Sequence, residues 1–336
     1  MPAPAPFTLA VDASWLRDGG IGRMAREILS RAPSGVRVHE IRADSANAGV
    51  FTPLDLAWQS RAVAADAIWS PGFVPPMVAR QGVPTFITIH DLAHLHCYSW
   101  RHRLYYDAVI RPLLRNVAAV LTVSDYTRGE ILDWTQMDPA KVICIHNGVS
   151  DAFAARSALD SAGERYLLYV GNRRPYKNVD RLIDAFAASG IAELGYQLWL
   201  TGEHDPSLSR RAASAGVDKY LRYLGHLDDE GLASAYRGAR ALAFVSLHEG
   251  FGLPVVEAMA SGCPVLTSNT TALREVAGAA ALQVDPTSVD AIATGLRRIV
   301  LEEPLRETLR AAGLVRAAEL SWDKTAAAYW RVFTGG

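Results

Sequence analysis

Short runs of apolar and β-branched residues alternate along the chain with longer segments whose apolar positions recur every three to four residues. The short runs predict strands at 8–12, 36–41, 67–70, 85–90, 119–123 and 142–146. Helical periodicity between them predicts helices at 21–32, 54–65, 100–117 and 125–134. The second half repeats the scheme, with strands at 166–170, 197–201, 221–224, 241–245, 264–267 and 281–284. Its helices are predicted at 178–188, 207–214, 229–237, 255–261, 271–277 and 288–301. The strands read as continuous apolar runs, not as alternating ones, so both faces should be covered by helices in parallel sheets. The fold class is therefore α/β, with two doubly wound, Rossmann-like domains facing across a cleft.

The pattern lapses over 150–165, a stretch rich in Ala, Ser and Asp that reads as a linker. That places a first domain at 1–149 and a second at 150–322. Helices predicted at 304–319 and 323–333 close the chain. Trp322, Tyr329, Trp330 and Phe333 give the last one a large apolar face, suited to packing residues 323–336 back on the first domain.

Composition narrows the function classes. A formal net charge of −1 over 336 residues supplies no field for nucleic acid. Cys97, Cys144 and Cys263 are odd in number and widely spaced, which fits a reducing cytosol and no disulfide framework. Residues 1–6 lack the charged start and apolar core of a signal peptide. No apolar run approaches the ~20 residues that span a bilayer. A cytoplasmic protein is expected, with any membrane contact peripheral.

Ligands of doubly wound folds bind beyond the carboxyl ends of the strands, so the residues there are the candidates. After the first strand, Gly20, Gly22 and Ala25 match the spacing of a dinucleotide fingerprint, with Glu40 about 20 residues on. This keeps an NAD-dependent oxidoreductase in view. However, a long loop from Asp12 separates strand from glycines, where the fingerprint needs a tight turn. The glycines can equally bring backbone close to a phosphate or a sugar.

His90-Asp91 ends the strand at 85–90, where an imidazole could donate to a sugar hydroxyl with a carbonyl or Asp91 setting its tautomer. His94, His96, Cys97 and His102 follow, but their spacing matches no zinc pattern, and no metal is expected. Residues 98–115 mix aromatics with Arg101, Arg103, Arg111 and Arg115. They read either as a peripheral contact with anionic lipid or as an ordinary helix with its arginines in water.

The second domain opens on a strand ending at Gly171, then Asn172, Arg173, Arg174, Pro175, Tyr176 and Lys177, then a helix. Cations between a strand end and a helix N-terminus are placed to hold a diphosphate, Arg as a fork and Lys as a point charge. The loop from Gly225 through Leu227 ends another strand and suits a base or ribose. The strand at 241–245 leads through His248 into Glu249-Gly-Phe-Gly-Leu-Pro-Val-Val-Glu257. Gly250 and Gly252 permit a tight turn and Pro254 suits a helix's first turn, so Glu249 belongs to a loop and Glu257 to the helix after it.

Taken together, these elements resemble the family 4 glycosyltransferases of the GT-B fold. The resemblance rests on Gly19-Gly-Ile-Gly22, His90-Asp91, Ser124 before a helix, Asn147-Gly-Val149, Gly171 with Pro175 and Lys177-Asn178, Leu224-Gly225, and above all 249–265, the E-x7-E signature and its continuation. It covers nearly the whole chain in order and is most similar to bacterial mannosyltransferases of surface polysaccharide. It implies retaining, metal-independent transfer of a hexose from a nucleotide-diphosphate sugar, without a cofactor, to a glycan or lipid-linked saccharide acceptor. The donor it points to first is GDP-mannose, with UDP- or dTDP-sugars as alternatives.

By the same resemblance, His90, Glu249 and Lys177 are the catalytic residues. Gly20, Gly22, Arg173, Arg174, Lys177, Leu227, Gly250, Phe251, Gly252, Leu253 and Glu257 are donor-binding. Glu249 would face the sugar, Glu257 the ribose, Lys177 with Arg173 or Arg174 the diphosphate, and Leu227 the base. Many members carry arginine directly after the glycine; here that position is Asn172, so the choice between Arg173 and Arg174 stays open. A glycosidase with Glu249 and Glu257 as acid and base, and a sugar-nucleotide epimerase or sensor, are the remaining rivals.

Overall fold

The computed structural model describes residues 6–16, 19–43, 49, 51–78, 81–154 and 165–335. The expected linker at 150–165 and the N-terminal stretch 1–6 fall largely outside these residues. The chain divides into two compact units: Met1–Gly148 with Trp322–Gly336, and Val149–Ser321.

In the first unit the strands are β1 Phe7–Asp12, β2 Val36–Ile41, β3 Ala67–Ser70, β4 Thr85–Ile89, β5 Ala119–Thr122 and β6 Val142–Cys144. They form a parallel 6-stranded sheet in the order β2-β1-β3-β4-β5-β6. In the second unit β7 Tyr166–Tyr169, β8 Gln197–Leu200, β9 Leu221–Tyr223, β10 Ala241–Phe244, β11 Val265–Ser268 and β12 Leu282–Val284 form another, ordered β12-β11-β10-β7-β8-β9. Each predicted run is thus a strand.

The central strands β3, β4, β5, β7, β10 and β11 are buried at every residue. This explains the absence of alternation in the sequence: helices cover both faces. The edge strands differ. β2 exposes Arg37, His39 and Glu40, and β9 exposes Arg222. Charges on an open edge discourage pairing with another chain.

Strand order locates each sheet's ligand crevice. Counted from β7, the second sheet is the 3-2-1-4-5-6 arrangement of dinucleotide-binding folds, reversing direction between β7 and β10. The first sheet reverses between β1 and β3, as in the flavodoxin-like order with a strand added.

One predicted helix changes form. The segment read as one helix over 100–117 is a helix Trp100–Tyr105, a π-helical turn Tyr106–Ile110 and a short helix Arg111–Leu114. Pro112 lacks the N–H that would continue the ladder, and a wider turn accommodates it. A four-residue helix Ala93–His96, too short to show a period, precedes it. The last helix, Trp322–Thr334, buries Trp322, Tyr329, Trp330 and Phe333 within the first unit. Its Trp330 Nε1 donates to the Ile28 carbonyl at 3.0 Å, and Phe333 packs 5.1 Å from Trp69 and 5.4 Å from Phe86 between ring centroids. Among the described residues no helix is long and apolar enough to cross a membrane.

Candidate functional site

The site in the second unit is assembled where β7 and β10 end side by side. Gly171 follows β7, and the segment beyond it folds into a 3-10 turn, Pro175–Lys177, because Pro175 fixes φ at its first position. Asn178 then adopts a left-handed conformation at φ 63° and opens the helix Val179–Ala188. It is buried, and its amide donates to the carbonyls of Val245 at 2.9 Å and Pro286 at 2.8 Å. One side chain thereby ties together the chain segments that follow β7, β10 and β12. Leu247 N also donates to the Tyr176 carbonyl at 2.8 Å, and Tyr169 Oη to that of Asn172 at 2.6 Å.

This framework brings Lys177 to Glu249, 72 residues on: Nζ donates to Oε1 at 2.6 Å. Their side chains are only 13% and 10% exposed, so solvent screens the pair weakly. The ammonium also lies 5.3 Å from the Tyr176 ring centre and 5.5 Å from that of Phe244. Lys177 and Glu249 are thus held at the sheet's reversal point, beside two aromatic rings.

Gly250, Phe251 and Gly252 turn the chain into the helix Leu253–Ala260. Gly252 has φ +92°, and a Cβ there would lie 2.5 Å from Leu273 Cδ2. The left-handed backbone favours glycine here, and any added side chain would also have to displace Leu273. In this helix's first turn Pro254 has no N–H, and Val255 N donates back to the Gly252 carbonyl at 2.9 Å. Glu257 lies one turn into the helix, buried, and accepts from Tyr236 Oη at 3.0 Å. The two glutamates have different partners, Lys177 for Glu249 and Tyr236 for Glu257.

The two arginines separate clearly. Arg173 donates from Nη2 to the Thr201 carbonyl at 2.9 Å and from Nη1 to that of Glu203, and its guanidinium stacks 5.0 Å from the Tyr223 ring centre. It braces the ends of β7, β8 and β9. Arg174 is an exposed residue beside it. Leu227 is half-buried in the loop after β9, where Asp228 caps the helix Asp229–Gly238 by accepting from Gly231 N at 2.8 Å.

In the first unit, Gly19 carries the left-handed backbone, φ +113°, and N-caps the helix Gly20–Leu29; Gly20 and Gly22 lie within its first turn. A 3-10 turn, Ala13–Trp15, intervenes after β1, so the tight strand–glycine turn of a dinucleotide fingerprint is not formed. Glu40 lies within the exposed edge strand β2. Asp12, at the end of β1, is buried and accepts from Ser14 N at 3.1 Å and Ser70 Oγ at 3.2 Å. It pins β1 to β3 at their reversal point, and burial pushes its carboxyl pKa up.

His90 follows β4, with Nε2 2.9 Å from the Pro71 carbonyl. A carbonyl only accepts, so Nε2 carries the proton. Burial lowers the pKa of the ring, which keeps it neutral and leaves Nδ1 with a lone pair. The sequence reading had this imidazole donating to a hydroxyl; the tautomer fixed by Pro71 makes the remaining nitrogen an acceptor. The histidines after it have other work. His94 stacks on Tyr98 and Tyr106 at 4.7 and 5.1 Å, His96 Nε2 lies 2.9 Å from Glu130 Oε1, and His102 Nδ1 lies 2.9 Å from Ser99 Oγ.

Asn178, Tyr236 and Asp12 are supporting residues to which the sequence reading gave no role. Asn178 alone left a signal, an asparagine between Lys177 and the helix start. The partners of the other two are distant in sequence.

Comparison with known proteins agrees with this geometry. The profile of Glycosyltransferase Family 4 matches residues 19–153, and that of Glycosyl transferases group 1 matches 152–315. The O-antigen chain mannosyltransferase B of Escherichia coli is 31% identical over 287 residues, 81% of this chain and 74% of that protein. The serotype-specific mannosyltransferase WbdA of Escherichia coli is 30% identical over 228 residues, which are 62% of this chain and 28% of that much longer protein. The structure of Anabaena Alr3699/HepE in complex with UDP-glucose superposes with a TM-score of 0.82 at 16% identity, covering 98% of this chain and all of that one. Two parallel Rossmann-like sheets, the E-x7-E turn at the second reversal point and these matches make the chain a glycosyltransferase of family 4 with the GT-B fold.

Proposed function

We propose that the protein transfers a hexose, mannose foremost, from a nucleotide-diphosphate sugar to a hydroxyl of a glycan or lipid-linked saccharide, retaining the anomeric configuration and using no metal. The observation that carries this reading is the largely enclosed Lys177–Glu249 pair beside the helix start at Leu253. Breaking the bond between anomeric carbon and phosphate builds negative charge on the departing diphosphate. A fixed ammonium and the helix-start amides meet that charge where it grows, which is the work a divalent ion does elsewhere. Glu249 orients Lys177 and faces the sugar, while Glu257 and Tyr236 offer acceptor and donor groups for ribose hydroxyls. Arg173, which donates to the Thr201 and Glu203 carbonyls, and the exposed Arg174 beside it are the two arginines offered to the diphosphate. His90 accepts a hydrogen bond from a sugar hydroxyl through Nδ1. Leu227 lies against the base.

Mannose is favoured by the names of the related proteins, and a nucleotide sugar by the UDP-glucose bound to the Anabaena protein. GDP-mannose is the first donor to test, with UDP- and dTDP-sugars beside it. The test is transfer from a donor panel to saccharide acceptors in excess chelator, with product configuration read by NMR. GDP-mannose turnover with retention is expected. Inversion, or activity that chelator abolishes and magnesium restores, sinks the mechanism; turnover with another donor only corrects the sugar.

We also propose that the enzyme works in the cytoplasm at a membrane face, through the first unit. Phe51, Leu54 and Trp58, spaced to share one helix face, are 70%, 51% and 69% exposed, and Trp100 and Leu104 are 69% and 56% exposed beside Arg101 and Arg103. Tyr105 Oη donates to the Gly49 carbonyl at 3.2 Å and so joins the two segments. Tryptophans and arginines around apolar side chains suit an anionic lipid interface. Co-sedimentation with phosphatidylglycerol vesicles should fall sharply in Trp58→Ser/Trp100→Ser. Equal sedimentation of variant and parent removes the proposal.

A further inference from the structure

At the carboxyl ends of the neighbouring strands β5 and β6, three side chains converge that the transfer chemistry does not use. Asp125 is the first residue of the helix Asp125–Thr135, which follows β5. Cys144 ends β6, and His146 lies two residues further on. Each offers a ligand atom, and these atoms lie within 4.8 Å of one another. Tetrahedral zinc, with bonds of about 2.0–2.3 Å, sets its ligand atoms roughly 3.3–3.8 Å apart. Side-chain rotation of about 1 Å therefore closes the set, with no backbone movement.

The backbone beneath the three is already fixed. Cys144 is paired with Thr122 in the sheet, and Ile145 N donates to the Thr122 carbonyl at 2.8 Å. The His146 carbonyl accepts from Thr325 Oγ1 at 2.7 Å. Ser124 caps the helix of Asp125 by accepting from Thr127 N at 3.1 Å. Cys144 and His146, two apart in extended chain, project to the same side. A site whose supports are rigid loses little entropy on binding.

The donor set selects the ion. One sulfur, one imidazole nitrogen and one carboxylate oxygen suit a borderline cation such as zinc, and suit magnesium or calcium poorly. We propose that Asp125, Cys144 and His146 bind one zinc ion, with water completing the tetrahedron. The ion joins the ends of β5 and β6, and through His146 the segment held by Thr325. It lies outside the diphosphate groups of the second unit, so its role is structural and independent of the metal-free transfer proposed above. Binding releases the thiol proton, so affinity rises with pH.

The test is a cobalt(II) titration of the full chain after chelator treatment, because cobalt reports thiolate and four-coordinate geometry by its absorption. One equivalent is expected to give a sulfur-to-cobalt charge-transfer band and intense visible bands, both displaced by zinc. Cys97→Ser should leave them unchanged. Cys144→Ser should abolish the charge-transfer band, and His146→Gln should weaken cobalt binding at least tenfold. Circular dichroism confirms that each variant is folded; if Cys144→Ser does not fold, the His146→Gln titration decides. Absence of a thiolate band, its persistence in Cys144→Ser, or unaltered affinity in His146→Gln overturns the proposal.

Discussion

Lys177 and Glu249 neutralise each other in the structure, yet the proposed reaction needs the lysine to face a diphosphate. On the proposed mechanism, Glu249 holds the ammonium in place until phosphate oxygens share it. Lys177→Ala should lower kcat at least ~100-fold, the scale of losing one group preorganised at a developing charge. It also strands a buried Glu249, so a thermal melt must accompany the kinetics; a folded variant with near-normal kcat would remove the role. Glu257→Ala should chiefly raise the donor KM, and Tyr236→Phe should do so less. An unchanged KM with lost turnover would assign Glu257 to chemistry. His90 gives a pH signature. Its folded pKa lies below the ordinary value near 6.5. Below that value the unfolded ring binds a proton that the folded ring refuses, so stability falls as pH drops from about 6.5 through the folded pKa. Urea unfolding of parent and His90→Gln across pH 5–8 checks this: the difference in stability between them should shift across that window, and a constant difference would contradict it.

At the scale of elements, the turn between β10 and the helix Leu253–Ala260 is the most constrained part of the site. Gly252→Ala must accommodate a Cβ 2.5 Å from Leu273 Cδ2 in a backbone region L-residues avoid. A cost of about 1–3 kcal/mol in stability is expected, together with a large loss of activity, because relief of the clash re-aims the helix-start amides. Chemical denaturation and turnover of the same preparation check both; a variant as stable and active as the parent would show that the turn is not strained. The segment 100–114 carries the opposite lesson. Its sequence reads as one amphipathic helix, but Pro112 and the inward placement of Tyr106 and Ile110 divide it around a π turn. That leaves Trp100 and Leu104 outward among the arginines.

Across the whole molecule, the last helix returns to the first unit and completes its aromatic core against Trp69 and Phe86. Trp330→Ala removes a fully packed ring and its hydrogen bond to Ile28, an expected loss of about 3–5 kcal/mol. Hydrogen exchange should show lost protection in β1, β3 and β4, with β7 and β10 less affected; uniform loss in both units would argue against this division. The sequence by itself determined the two α/β sheets, because strands buried on both faces must be continuously apolar, and the family, because a glycine–proline turn between two glutamates survives as local chemistry. It also marked Lys177, Glu249, Glu257 and His90, each beside a strand end or within that motif. Only the tertiary structure decided their partners. Lys177 meets Glu249 from 72 residues away, Tyr236 reaches Glu257, and Asn178 joins three loops. Arg173 reaches the Thr201 and Glu203 carbonyls, Pro71 sets the tautomer of His90, and Asp125 comes to Cys144 and His146. Such pairings depend on which strands lie side by side, and strand order is set by the packing of the whole sheet, which no local pattern records.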